Sequence, residues 1–218
     1  MEEREVTTRN STVEEWTQAL AESTGSPGGG AGTGVMLAVA ASLASMVAGY
    51  TEPGADQQQT VDKLRDRART LRSEALQLAD EDSTASRAFG AAFRLEPGEE
   101  RDNAIREASV DAAHASAVLG ARAVQAIDDL AWLAEHGNKA LIADVVVAFG
   151  ALRAAVAGAR TNVSFDLGTL RSTGATLEQI REQQPELWAS VERLTGALER
   201  IDALTEQIDS RAAPTDSI

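Results

Sequence analysis

The chain has 218 residues, of which 43% are hydrophobic and 25% are charged, and its formal net charge at pH 7 is −14. This acidic excess argues against a nucleic-acid surface, which needs clustered lysine and arginine, and against an anionic membrane as a partner. The absence of cysteine excludes disulfides and thiolate chemistry, and two histidines far apart in the sequence do not form a zinc motif, so we expect no metal.

Both ends of the chain are predicted to be disordered, and the residues between them to form one domain. Residues 1–10 are polar and acidic, which does not fit a secretory signal peptide, so we expect a cytoplasmic protein. Residues 11–210 show helical patterns throughout and are predicted to form a single all-α domain, an up-and-down bundle of long helices. Residues 211–218 are predicted to be a disordered tail.

The bundle is predicted to surround an uncharged helix of small residues within residues 26–50. No charged residue occurs between Glu22 and Glu52, and a helix that is apolar on every side has to be buried. Its length would also allow a membrane span. However, small residues dominate it and no lysine or arginine flanks it. We therefore predict a core helix and no membrane partner.

A glycine-rich turn opens this helix. Pro27 is expected in the first helical turn, where its missing N–H is no loss. Gly28, Gly29 and Gly30 leave backbone N–H groups uncovered at the positive end of the helix. The turn therefore predicts either a cradle for an anionic group or a close approach by another helix, and a glycine run alone does not separate the two.

The third helix is predicted to start near Ala55 and to pack lengthwise on its neighbours, because one face repeats in steps of three and four. That face comprises Val61, Leu64, Ala68, Leu71, Ala75, Leu78, Asp82, Ala85, Phe89 and Ala92. Asp82 is the exception, because a buried carboxylate is unfavourable unless it is paired or hydrogen-bonded. Two interpretations stay open: an acid satisfied by a helix terminus or an arginine, and a general acid/base or ligand of a cationic substrate.

Three further helices follow. In the fourth, over residues 99–134, we interpret His114 as a packing or surface residue, with proton transfer as the alternative. The fifth, over residues 139–170, places Asp144 and Asn162 on one face with small residues between them, and Asp144 is predicted to be buried. Their separation of about 27 Å along the helix prevents both from touching one small group within a single chain. The last helix, opening at Pro185, repeats in sevens like a coiled-coil strut.

Four segments occur in the same order as in a known family. They are the glycine turn with its small-residue helix ending in Met46-Val47-Ala48, the stretch Leu78-Ala79-Asp80-Glu81-Asp82, Gly137-Asn138 followed by Asp144, and Asn162-Val163. Together they resemble the formiminotetrahydrofolate cyclodeaminase and methenyltetrahydrofolate cyclohydrolase family over residues 12–170. The resemblance implies an all-helical domain that pairs as a homodimer and takes tetrahydrofolate as substrate or carrier.

The resemblance also implies roles for individual residues. Both family reactions pass through a tetrahedral carbon flanked by nitrogens, which needs a carboxylate and a group that moves protons. Asp82 and Asp144 are accordingly predicted to be catalytic, with Asp82 as the proton carrier. Asn138 would help Asp144 to orient the substrate, and Asn162 would act from the far end or across a dimer. The residues predicted to hold a carbonyl or carboxylate are Pro27, Gly28, Gly29 and Gly30.

Several residues depart from the family pattern. Ala31 stands where serine is usual, Ser86 where an aromatic residue is expected, and Ser116 where proline is expected. We predict a methenyltetrahydrofolate cyclohydrolase, ahead of a formiminotetrahydrofolate cyclodeaminase because no formiminotransferase domain is fused to the chain. The alternatives are a divergent member that binds folate or another imine-type substrate without this activity, and a helical scaffold.

Overall fold

Seven α-helices account for most of the residues that the computed structural model describes, which are residues 6–23 and 26–210. The helices are α1 (Val13–Ala21), α2 (Gly29–Gly49), α3 (Gln58–Ala92), α4 (Glu99–His136), α5 (Ile142–Thr169), α6 (Leu177–Gln183) and α7 (Pro185–Ile208). Short 3-10 turns occupy Lys139–Leu141 and Leu170–Thr173. The prediction of an all-α fold is confirmed.

Helix α2 lies at the centre of the bundle and packs against α3, α4 and α5. Its inward positions are almost all small or aliphatic, and they are buried: Ala31, Leu37, Ala38, Ala40, Ala41, Ala44, Val47 and Ala48. A Cβ atom on Gly34 would lie 2.8 Å from the Cβ of Ala79 and 2.9 Å from the carbonyl oxygen of Ala75. Glycine at position 34 therefore sets how closely α2 and α3 approach.

Short connections make consecutive long helices run in opposite directions. At the end of α4, the Asn138 N–H donates to Thr51 Oγ1 at 3.2 Å, and its side-chain amide donates to the carbonyl oxygen of Tyr50 at 3.0 Å. These bonds fix the start of α5 beside the C-terminal end of α2. The second half of α5 consequently returns to the N-terminal end of α2, where a Cβ atom on Gly158 would meet Thr33.

Two helix starts differ from the predictions. Helix α2 begins at Gly29 with Gly28 as its N-cap, so Pro27 lies before the helix, after a cis peptide bond with Ser26, and not in the first turn. Helix α3 begins at Gln58, a few residues after the predicted Ala55, because residues 55–57 form a turn. The missing side-chain cap on α2 has consequences for the site described below.

The predicted disorder at the N-terminus is wrong for residues 6–10. The backbone N–H of Thr8 donates to Asp80 Oδ1 at 2.6 Å, and Trp16 Nε1 donates to Thr8 Oγ1 at 3.1 Å. Val6 packs against a buried cluster of Trp16, Ala31 and Ala79. This segment is therefore part of the domain, while residues 1–5 and 211–218 lie outside the described residues.

Within the part of the chain that the structure describes, two segments are long and apolar enough to cross a membrane by composition, Gly29–Gly49 and Lys139–Thr173. In Gly29–Gly49, 56% of the most apolar stretch is buried inside the bundle. In Lys139–Thr173, only 33% of the corresponding stretch is buried. The exposed remainder includes Met36 and Val39 on α2 and Val147 and Phe165 on α5. The two central helices therefore present apolar side chains outward as well as inward.

Candidate functional site

The N-terminal end of α2 has no side-chain cap of its own. The first backbone bond that closes a helical turn runs from the Gly32 N–H to the Gly28 carbonyl oxygen at 3.0 Å. The N–H groups of Gly29, Gly30 and Ala31 precede it and have no carbonyl partner within the helix. They form the positive end of the helix dipole, which favours a negative charge nearby.

Asp82 of α3 supplies that negative charge. Its carboxyl group accepts a hydrogen bond from the Ala31 backbone N–H. A Cβ atom on Gly30 would lie 2.0 Å from Asp82 Oδ1, closer than any real contact allows. Position 30 therefore has to be glycine for this carboxyl group to reach the first turn of α2.

The half-buried carboxyl group of Asp82 is held nearer to neutrality than that of an exposed aspartate. Burial raises its pKa, while the Ala31 N–H and the Ser86 hydroxyl, whose Oγ lies 3.5 Å from Oδ2, oppose that rise. Both interpretations left open for Asp82 therefore apply. The start of α2 is a hydrogen-bond partner of the carboxyl group, as the first interpretation requires. The pKa of Asp82 nevertheless stays raised, which is the property expected of a proton carrier.

A second carboxyl group, that of Asp166 on α5, lies within electrostatic reach of Asp82. Burial raises the pKa of Asp166 to about 7, and the negative charge of Asp82 contributes to the rise. Two neighbouring carboxylates cannot both ionise without repulsion, so one of them retains its proton to a higher pH. The carboxylate pair, Asp82 and Asp166, can therefore both donate and accept a proton near neutral pH.

The face of α5 that carries Asp166 also carries Asn162 and Gly158, at successive intervals of four residues. Each interval corresponds to about 6 Å along the helix. A Cβ atom on Gly158 would lie 2.3 Å from Thr33 Oγ1, so α5 and α2 nearly touch there. Asn162 is half-buried between this contact and Asp166, which places its amide on the side of α5 that faces the α2 terminus.

Polar contacts from two other segments hold the surroundings of the pair. Arg87 Nη1 donates to Ser26 Oγ at 3.2 Å, which ties the turn before α2 to α3. On the neighbouring side of α3, the Thr8 N–H binds Asp80, which brings the N-terminal segment against the same region. The first turn of α2 is thus held by α3, α5 and the N-terminal segment together.

The structure brings together part of the predicted site. Gly28, Gly29 and Gly30 form the start of α2, with the buried Pro27 immediately before them. Asp82 contacts Gly30, and Asn162 lies on the adjacent face of α5. These residues come from three separate segments and converge at one end of the bundle.

Asp144 and Asn138 lie at the opposite end. Asp144 is in the first turn of α5 and is only half-buried, about 33 Å along the helix from Asp166. Asn138 caps the 3-10 turn by accepting from the Ala140 N–H at 3.0 Å, and it fastens that turn to the end of α2. Within one chain, Asp82 and Asp144, the two residues predicted to be catalytic, therefore lie at opposite ends of the bundle, and His114 is exposed on α4.

Asp166 was absent from the predicted site, although the sequence contained a signal for it. The face of α5 running through Asp144 and Asn162 reaches Asp166 one turn later, at the same interval of four. Its apolar neighbours, Phe165 and Leu167, gave no separate indication of a site. Only the return of α5 to the start of α2 shows which end of that face meets Asp82.

The structure shows the contacts made by Ala31 and Ser86, two residues that differ from the family pattern. The methyl group of Ala31 is buried beside Trp16 and Ala79, and its backbone N–H reaches Asp82 whichever side chain is present. The Ser86 hydroxyl contacts the Asp82 carboxyl group directly. Among the described residues, no group of three or more His, Asp or Glu side chains is placed to hold a metal ion.

The raised pKa of Asp166 predicts a pH-dependent effect of Asp166→Asn on stability. The folded state favours the neutral acid, so the wild-type chain loses stability as pH rises from about 4 to about 7. The variant lacks this loss, so its Tm should exceed that of wild type above pH 7 and converge with it near pH 4. Since solvent reaches part of the group, we expect a gain of about 2–4 °C, equivalent to ~1 kcal/mol. Calorimetry at both pH values would measure it, and an equal Tm difference at both would contradict ionisation as its cause.

Comparison with known proteins covers almost the whole chain. The family described as Formiminotransferase-cyclodeaminase matches residues 12–185. A methenyltetrahydrofolate cyclohydrolase from Methylorubrum extorquens is 30% identical over 211 residues, which span 91% of this chain and 94% of that protein. The crystal structure of formiminotetrahydrofolate cyclodeaminase from Thermotoga maritima has a TM-score of 0.77 at 24% identity, and the match covers 92% of this chain and 96% of that one.

The matched range contains α1 to α6 and therefore every residue of the carboxylate pair and of the glycine turn. The likeness to the solved structure supports the same helical fold at low sequence identity. From the family match and the full-length relative, the chain belongs to the formiminotransferase-cyclodeaminase family.

Proposed function

We propose that this chain is a folate one-carbon enzyme that opens the methenyl bridge of methenyltetrahydrofolate with water, as a cyclohydrolase. The observation that carries the proposal is the carboxylate pair, Asp82 and Asp166, at the uncapped start of α2. The relative named as a methenyltetrahydrofolate cyclohydrolase supports it, because that protein and this chain match over nearly their full lengths.

The substrate carries a positive charge on an amidinium carbon between two nitrogens. A carboxylate at Asp82, held by the Ala31 N–H and the Ser86 hydroxyl, would balance that charge from a fixed position. Exposed N–H groups of the α2 terminus could bind the hydroxyl oxygen of the tetrahedral adduct, on which negative charge develops as its remaining proton leaves. Both groups are already in place before substrate arrives, which is what electrostatic catalysis needs.

Asp166 is suited to move the protons. With a pKa of about 7, its carboxyl group is present in both protonation states at neutral pH. Its carboxylate would take a proton from the attacking water as the new C–O bond forms. The resulting acid would return a proton to the ring nitrogen as the C–N bond breaks, while the hydroxyl of the adduct releases its proton to solvent and becomes the carbonyl of the formyl group. The overall reaction consumes one water and releases one proton.

The second candidate is formiminotetrahydrofolate cyclodeaminase, favoured by the likeness to the solved Thermotoga maritima protein. In that reaction a folate nitrogen attacks the formimino carbon, and ammonia leaves after protonation. The same pair would serve, with the acid form of Asp166 protonating the departing nitrogen. Release of ammonia from formiminotetrahydrofolate distinguishes this activity from hydrolysis of the methenyl compound.

We place Asn162 at the substrate and Phe165 beside it. Asn162 lies one turn before Asp166, and its amide can both donate to and accept from ring nitrogens and carbonyls. Phe165 precedes Asp166 and is 69% exposed, so its ring is available to stack on a flat ligand. An aromatic residue on α5 would thus replace the one that Ser86 does not provide on α3.

The proposal includes a homodimer formed through the outward faces of α2 and α5. Met36, Val39 and Val147 expose 45%, 42% and 60% of their surface there, on two adjacent central helices. A second copy suits this face, because Gly150 on α5 has open space where a side chain would be and permits close approach. The net charge of −14 disfavours an anionic membrane or nucleic acid as partner, and we place the enzyme in the cytoplasm.

Substituting single acids tests whether the reaction takes place at the carboxylate pair or at Asp144. Asp82→Asn and Asp166→Asn should each lower kcat for methenyltetrahydrofolate by about a hundredfold or more, as expected for a lost proton-transfer group. Asp144→Asn, on the same helix as Asp166, should stay within about threefold of wild type. The loss of near-ultraviolet absorbance of the substrate measures turnover.

An inactive wild-type chain would overturn the proposal, and calorimetry with folate would then distinguish a carrier from a scaffold. If Asp144→Asn abolished turnover while Asp166→Asn did not, the chemistry would belong to the other end of α5. A site reached by Asp144 of a second chain would then fit better, and the carboxylate pair would be structural.

The dimer proposal predicts that one charge on the shared face separates the subunits. Val39→Glu should convert a dimer into a monomer, because a carboxylate buried between two apolar faces lacks a partner. Val118→Glu on α4, where the wild-type valine is 48% exposed, is the matched control and should leave the mass unchanged. Light scattering after size exclusion measures both, and a monomeric wild-type chain would refute the dimer.

A further inference from the structure

A groove between α2 and α3 contains three arginines and no acidic side chain. It has a volume of about 570 Å³, and Arg65, Arg69 and Arg72 of α3 face Ser45, Gly49 and Tyr50 of α2 across it. The arginines lie at intervals of four and three residues and therefore share one face of α3. In a chain with 34 acidic and 20 basic residues, three adjacent cations facing no acid are a distinct feature.

Several arginines elsewhere in the described part of the bundle form ion pairs with acids. Arg67 pairs with Asp129, and Arg153 with Asp202, each at 2.5 Å. The acids closest in sequence do not line this groove: Asp66 lines a separate groove that α3 forms with α4, Asp62 accepts from Gln58, and Glu74 pairs with Arg122. Within residues 6–23 and 26–210, none of the three groove arginines forms an ion pair.

Arg65 carries a buried donor without an acceptor. Its guanidinium lies over Gly49, where an added Cβ atom would be 3.5 Å from Arg65 Cζ. Its Nε atom is buried and has no hydrogen-bond partner in the described part of the chain. A buried N–H without an acceptor is unfavourable. The negative end of α2 stabilises the charge of Arg65, but it supplies no acceptor to Nε and does not account for Arg69 or Arg72.

We propose that this groove binds a small organic anion bearing two or more carboxylate or phosphate groups. The planar fork of a guanidinium matches both groups through paired hydrogen bonds. From Arg65 to Arg72 the row spans about 10 Å along α3, so a ligand with two or more anionic groups can contact all three guanidinium groups at once. Arg69 lies between the two ends and contacts either half of such a ligand.

This anion groove is separate from the carboxylate pair and does not rest on the proposed function. Arg72 and Asp82 are ten residues apart on α3, which corresponds to about 15 Å along the helix and about 80° around it. A ligand in the groove therefore contacts a different side of α3 from a substrate at Asp82. Variants in the groove can be tested by binding alone, with no assay of turnover.

Titration calorimetry of the full chain with citrate and with pyrophosphate, in a chloride buffer of low ionic strength, tests the inference. We expect saturable binding of at least one of them at one site per chain. Arg69→Gln should weaken it about tenfold, because a charge-assisted hydrogen bond is lost. Lys63→Gln removes an exposed charge from the opposite side of the same helix and should change the affinity less than about twofold.

Binding of citrate alone assigns the groove to carboxylates, and binding of pyrophosphate alone assigns it to phosphates. The inference is overturned if neither anion binds saturably. It is also overturned if Lys63→Gln weakens binding as much as Arg69→Gln, since the anion would then respond only to total charge. Circular dichroism of both variants verifies that the exposed substitutions leave the helices intact.

Discussion

The contact between the Asp82 carboxyl group and the first turn of α2 is the constraint on which the rest of the site depends. Helix α2 begins at glycines and carries no cap of its own, so its N-terminal N–H groups need an acceptor from elsewhere. Asp82 meets that need through the Ala31 N–H, and glycine at position 30 makes the approach possible. The same contact fixes α3 against α2 at the end of the bundle to which α5 returns.

Placing a second acid at this terminus is unfavourable for stability, and under the proposed function it supplies the proton-transfer group. Burial and the charge of Asp82 raise the pKa of Asp166 to about 7, which means that the folded chain resists its ionisation. A structural cap alone would need only one carboxylate. Acid–base catalysis uses pairs of acids whose pKa values are made different by their surroundings. The dipole of α2 stabilises the charged member of the pair.

Local patterns predicted the helices and the unusual position of Asp82, but not the geometry of the site. The repeat on α3 identified Asp82 as an acid on a packing face of the helix, because recognising that face requires only helical periodicity. Asp144 and Asp166 occupy equivalent places on one face of α5, and the sequence does not show which end meets α2. That choice depends on chain direction, which the bonds from Asn138 to the end of α2 determine. The resemblance gave the family and fold, while the pairing of acids required the three-dimensional arrangement.

If Asp82 and Asp166 share one proton at neutral pH, their carboxyl carbons should titrate together. Carbon-13 NMR of protein labelled at the aspartate carboxyl carbons, recorded from pH 4 to pH 9, would follow each group, with Asp82→Asn and Asp166→Asn assigning the signals. With a shared proton, the Asp166 signal should change with a midpoint near pH 7, and the Asp82 signal should respond at the same pH. Completion of both titrations below about pH 5 would contradict it.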